Sequence, residues 1–126
     1  MKHGELTSIL IYICIKVHEA LGPGLLESVY EECICYELTK LGIPFLRQQG
    51  ISFYYDEVKM DIGFRADILV DNTVIMELKS TESINPVHAK TVLTYLRLSG
   101  VEVGLLINFN VVLLKDGITR LVMDRK

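Results

Sequence analysis

Glu77 and Lys79 stand two residues apart in the run VIMELKS, residues 74–80, whose other positions are mostly apolar. Side chains alternate along a strand, so residues 75, 77 and 79 point one way and 74, 76 and 78 the other. The second set suits a core, and the first puts a carboxylate and an ammonium on one face. Residues 64–70 repeat the alternation with Arg65, Asp67 and Leu69. A turn of Asp71, Asn72 and Thr73 joins the two runs as a hairpin. Position 70 then pairs with 74, Asp67 with Glu77 and Arg65 with Lys79. Ala66, Ile68, Val70, Val74, Met76 and Leu78 line the opposite face. Two carboxylates directly opposed in a sheet have Cβ atoms about 5 Å apart and repel. A divalent cation relieves this: Mg²⁺ takes oxygen ligands, commonly one or two carboxylates with water and phosphate. Mg²⁺ (or Mn²⁺) is therefore the expected cofactor, with Lys79 placed to steer water or to neutralise charge growing on phosphorus. The competing reading is a solvated face with ion pairs from Asp67 to Lys79 or from Glu77 to Arg65.

The elements that must position these residues are read from periodicity. Leu6, Leu10, Ile13, Val17 and Leu21 recur at helical spacing, so a helix is expected over 7–20, capped by Thr7 or Ser8 and ended by Gly22, Pro23 and Gly24. Its remaining faces carry Ile11, Tyr12 and Ile15, more apolar than a lone surface helix needs, which raises a homodimer as an alternative to burial in its own core. A second helix is expected over 25–41, with Gly42 as its C-terminal cap and Pro44 beyond. Strand periodicity follows over 45–48, 51–55, 58–61, 64–70 and 74–80. Pro86 opens a third helix, 86–99, stopped by Gly100. Strands 101–109, 111–114 and 118–123 complete the order α-α-β-β-β-β-α-β-β-β. The connection between strands 74–80 and 101–109 is long enough for a crossover, so that pair is expected to be parallel within a mixed central sheet flanked by helices.

A chain of 126 residues with 50% apolar content suits one domain, 1–126, of the α/β class. The net charge of −3 supplies no basic field to hold a polyanion at long range, so contact with nucleic acid has to be local or metal-assisted. Cys14, Cys33 and Cys35 form no CxxC pair and are odd in number, which fits a reducing cytoplasm better than a disulfide framework. The apolar run 9–15 is far short of the roughly 20 residues a membrane helix needs. Glu5 and the sequence Lys16, Val17, His18, Glu19 argue against a secretory leader. No membrane association is expected.

Asp67 followed by Glu77-x-Lys79 on the next strand, flanked by helices, resembles the PD-(D/E)XK nuclease superfamily. Within it, Gly24-Leu25-Leu26-Glu27-Ser28-Val29-Tyr30 matches the GxxExxY signature of the GxxExxY protein family. The segments HEALGPGLLESVYEE, FRADILV, ELKS and GLLINFNVVLLKDGITRLV are also similar to that family, so the resemblance spans nearly the whole chain. It implies a restriction-endonuclease-like core and a metal-dependent hydrolysis of nucleic-acid phosphodiesters, DNA before RNA. It further implies that Asp67 and Glu77 are metal ligands, that Lys79 is the catalytic lysine, and that Glu27 completes the acidic site. Without the resemblance, Glu27 reads as a carboxylate favoured by the helix N-terminus. Tyr30 contacts phosphate or packs beneath the site.

His88, Thr91 and Tyr95 fall on one face of the third helix at i, i+3 and i+7 and are candidate substrate contacts. Exonuclease-like members of the superfamily carry Gln-x-x-x-Tyr there; here the Gln is Thr91, which reaches less far. Arg97 and Lys90 are candidate backbone clamps or solvated charges. The alternative to a nuclease is a catalytically weak or inactive nuclease-fold module that binds nucleic acid or a protein partner. A structure-selective dimeric resolvase and a metal-free structural protein are further rivals.

Overall fold

A computed structural model describes residues 3–123; residues 1–2 and 124–126, the ends of the expected 1–126 domain, lie outside the described residues. Two helices lead, α1 (Gly4–Leu21) and α2 (Glu27–Leu41), followed by β1 (Phe45–Tyr55), β2 (Val58–Val70), β3 (Val74–Lys79), α3 (Pro86–Ser99), β4 (Val103–Asn108) and β5 (Ile118–Val122). The strands form one mixed sheet in the order β1-β2-β3-β4-β5. Only β3 and β4 run parallel, joined by α3, as their long connection requires.

The sheet is covered on both faces. Leu10, Ile13, Val17, Ile34 and Leu38 of α1 and α2 pack on Ile68, Val70, Met76 and Ile107. On the reverse face, Val92 and Leu96 of α3 pack on Leu69, Ile75 and Leu106. The expected split of the β2–β3 hairpin into an apolar and a charged face is thus only half right, because Leu69 and Ile75 on the charged parity are buried beneath α3. Close approach of α3 requires Gly104: a Cβ there would stand 2.6 Å from Val92 Cγ1. Ile11 and Ile15 of α1 pack against the core, leaving Tyr12 exposed. Among the described residues no helix is long and apolar enough to cross a membrane.

Several boundaries differ from expectation for local reasons. The α1 N-cap is His3, and the Thr7 hydroxyl donates back to the His3 and Gly4 carbonyls from inside the helix. Strands expected at 45–48 and 51–55 are one strand, as are 58–61 and 64–70. The break in alternation marks a register shift between Ile51 and Phe53 of β1. Residues 111–114 form no strand. Val111 and Leu114 pack against the core instead, and a 3-10 turn, Leu114–Gly117, leads into β5. The order is therefore α-α-β-β-β-α-β-β, with five strands.

Candidate functional site

The β2–β3 hairpin forks where the charged residues begin. Ladder pairs join Val70 with Val74, Leu69 with Ile75 and Ile68 with Met76, and the ladder ends there. One residue on, Asp67 Oδ2 accepts the Leu78 backbone N–H at 2.8 Å, so a side chain takes the donor that the ladder releases. The expected 67/77 and 65/79 pairs are therefore absent: Asp67 reaches past Glu77, and Arg65 pairs with Gly50 of β1. Facing also turns over at the fork. Ile68 belongs to the core beneath α1 and α2, whereas Ala66 joins the α3 side.

The fork opens a cleft of about 490 Å³ against the start of α2, lined by Glu27, Ser28, Glu31, Gln48, Asp67, Glu77, Leu78 and Lys79. Four residues expected in a catalytic set, Glu27, Asp67, Glu77 and Lys79, share this wall. Glu77 is 9% exposed and its Oε1 is buried without a hydrogen-bond partner. Lys79 Nζ stands 4.0 Å from Glu77 Oε2, too far for a hydrogen bond and on the edge of an ion pair. Burial, and then the Asp67 charge, push the Glu77 carboxyl up to about 7, against the pull of Lys79. Burial also raises the Asp67 carboxyl, opposed by the Leu78 N–H and the Gln48 amide and reinforced by Glu31.

A buried acceptor left unpaired costs about 1–3 kcal/mol, more when charged. Two carboxylates that repel within one cleft, one of them with an orphaned buried oxygen, fit a hard divalent cation. Among the described residues, no three His, Cys, Asp or Glu side chains gather closely enough to hold a metal together. Glu27, expected as a third ligand, is at 3.2 Å the acceptor of the Ser80 N–H through Oε2. It thereby ties the first turn of α2 to the chain just beyond Lys79, where the Ser80 hydroxyl donates to the Leu25 carbonyl. Asn108 holds the next residue from the other side, accepting the Thr81 N–H and donating to its carbonyl, each at 3.1 Å.

Tyr30 does not reach the cleft: of its two expected roles, substrate contact and packing beneath the site, it takes the packing one. It is fully buried, stacked on Phe109 with ring centroids 4.2 Å apart. Its hydroxyl donates to the Gly22 carbonyl and accepts the Leu25 N–H, fixing the loop that presents Glu27. On α3 the polar candidates separate. His88 completes a capping box with Asn85, and the Thr91 hydroxyl donates to the Val87 carbonyl at 2.7 Å, so both serve their own helix. Tyr95 stacks on Phe64 and feels both Glu77 and Asp67, which reinforce the rise that burial gives its phenol. Arg97 is exposed in the last turn and does not line the cleft.

Glu31 and Gln48 escape sequence reasoning. Glu31 follows Glu27 by four residues and so shares its helix face, a usable signal. Gln48 offers none: counted from the Tyr55/Val58 pair it would face Arg65, and only the register shift carries it to Asp67.

A family model described as the PD-(D/E)XK nuclease superfamily matches residues 4–121. No curated protein and no solved structure matches the chain.

Proposed function

The chain belongs to the PD-(D/E)XK nuclease superfamily, and from that premise we propose that it is a nuclease hydrolysing nucleic-acid phosphodiesters, with DNA the first substrate to test, at the β2–β3 fork. The observation that carries this reading is the buried, unpartnered Glu77 Oε1 beside Asp67 and Lys79. Asp67 and Glu77 would hold Mg²⁺ or Mn²⁺, while Glu27 stands on the cleft wall and holds the Ser80 N–H. When bound, such a cation supplies Lewis-acid stabilisation to a phosphoryl group and makes water more acidic. Lys79 brings a positive charge to the rim, where negative charge develops on phosphorus. Leu78 holds Asp67 through its N–H, and Glu27, Ser80 and Asn108 keep the Lys79 segment from shifting. Tyr95, stacked on Phe64, lies near enough to feel the charge of both carboxylates.

Membership of the GxxExxY branch is part of the proposal. It is supported by the division of labour in Gly24-x-x-Glu27-x-x-Tyr30: Gly24 turns the loop with φ +95°, Glu27 secures β3 and Tyr30 anchors the turn. A second reading, a binding module of low activity, is favoured by Thr91 spending its hydroxyl on its own helix. Labelled single-stranded, double-stranded and branched DNA, and RNA, incubated with Mg²⁺, Mn²⁺ or EDTA, decide between them. Cleavage that needs metal and is lost in Asp67→Ala and Lys79→Ala establishes the nuclease. A folded protein that binds these substrates without cutting them establishes the module.

A further inference from the structure

Gln48 is the only described residue inside a strand, glycine aside, that adopts a left-handed backbone, φ +50°. Ladder pairing passes it by, joining Arg47 to Ile68 and Gln49 to Ala66 on either side. A strand seldom gives up a ladder position to a conformation disfavoured for a long side chain unless that side chain has a use. Its carboxamide nitrogen donates to Glu31 Oε1 at 2.7 Å and, less closely, to Asp67 Oδ1 at 3.4 Å.

The two partners differ. Glu31 is 6% exposed and fully engaged, with Oε1 on Gln48 and Oε2 on the Arg47 guanidinium at 3.0 Å. Both of its oxygens are held by closer bonds than the one from Gln48 to Asp67, so it serves as the anchor. Asp67 gives Oδ2 to the Leu78 N–H, so its remaining oxygen is the one that Gln48 meets. The amide NH₂ has two protons and no charge, so it can join two carboxylates that would otherwise repel. A lysine would pair with Asp67 and compete with a cation there; a glutamine orients without competing.

We propose that Gln48 is a positioning residue: its carboxamide, anchored on Glu31, orients Asp67 Oδ1, the oxygen that Leu78 does not hold, for the bound cation. The inference rests on the metal-site reading above, so its test needs a measurement that works without metal. Gln48→Gly removes the amide and relieves the left-handed backbone; Gln48→Met removes the amide but keeps length and strain. The two variants share only the missing donor, and their thermal stabilities should move in opposite directions relative to each other, Gly above Met. Two readouts are taken on each full-length variant: Mn²⁺ affinity by calorimetry, and exchange of the Leu78 amide by NMR in metal-free buffer. Both variants should lose about tenfold in Mn²⁺ affinity, the lower end for removing a side chain that orients a ligand. Both should also exchange Leu78 faster while the Met76 and Leu105 amides keep wild-type protection. Wild-type Leu78 protection in both variants overturns the proposal, as does a loss of affinity in Met alone. Wild-type protein that binds no Mn²⁺ defeats the functional reading instead, and the Leu78 exchange rates still decide the role of Gln48.

Discussion

Glu31 and Glu77 are buried glutamates lining the same cleft, and their surroundings are opposite. Glu31, on α2, has both oxygens taken by the Gln48 amide and the Arg47 guanidinium. Glu77, on β3, has an ammonium at 4.0 Å and one buried oxygen without a hydrogen-bond partner. A protein interior rarely leaves a buried polar atom unmatched, and most of this one does not. Glu31 contributes to the fold, whereas the buried, unpartnered oxygen of Glu77 weakens it, and under the proposed function that cost is met by a bound cation.

The largest effect expected of this contrast is on chemistry. Lys79→Ala and Asp67→Ala should each lower cleavage about 10²–10³-fold, the scale of removing one preorganised charge from a transition state. Thermal melting should shift little in Lys79→Ala, whose ammonium is partly exposed. Wild-type rates in either variant at equal metal would move the site elsewhere.

Next comes pH. With its carboxyl raised to about 7, metal-free folded protein binds a proton at Glu77 that the unfolded chain has already released above the ordinary carboxylate range. Stability should therefore fall as pH rises from about 5 through 7 and level off beyond, by roughly 2–3 kcal/mol, with Asp67 adding in the same sense. Glu77→Gln should remove most of that slope, and saturating Mg²⁺ should oppose it in wild type alone. Urea titrations at pH 5.5 and 8, with and without Mg²⁺, measure all three. A flat wild-type profile would place Glu77 among solvated carboxylates and erase the contrast.

A smaller loss, about 1–2 kcal/mol, is expected for Glu31→Ala, which leaves the Gln48 amide with its Asp67 contact alone and the Arg47 guanidinium with Glu32 alone. The same urea titrations test it; no loss of stability would mean that the Glu31 contacts do not hold the cleft wall. Smallest of all, Arg97→Ala should leave stability within about 0.5 kcal/mol and substrate affinity unchanged, because Arg97 stands outside the cleft. Weakened binding of labelled DNA would extend the site along α3.

Much of this arrangement was legible beforehand because it is local. The helical stripes, Gly42 and Gly100 as caps, the turn at Asp71 to Thr73 and the parallel β3–β4 pair follow from spacing and connection length. The sharing of one cleft by Glu27, Asp67, Glu77 and Lys79 was expected from a resemblance, and their roles rest on the proposed assay. The fork was hidden, because alternation assumes a ladder that continues, and Asp67 ends it by capping Leu78 with its own side chain. Gln48 was hidden because a register shift further along the β1–β2 ladder, between Ile51 and Phe53, decides which residue it faces. The burial of Tyr30 and the inward turn of Thr91 depend on partners that no spacing rule specifies.

The stack of Phe64 on Tyr95 makes the site visible to light. The chain has no tryptophan and six tyrosines. Four of those, Tyr12, Tyr36, Tyr54 and Tyr55, are exposed, while Tyr30 and Tyr95 lie against aromatic partners. Near-ultraviolet dichroism in such a chain comes mainly from rings fixed in asymmetric surroundings, here one in the core and one beside the carboxylates. At the proposed site, bound Mn²⁺ or a rise in pH would change the charge that Tyr95 feels, whereas Tyr30 is packed in the core outside the cleft. The unmodified protein thus carries a spectroscopic reporter of its own cleft and, in Tyr30, an internal reference.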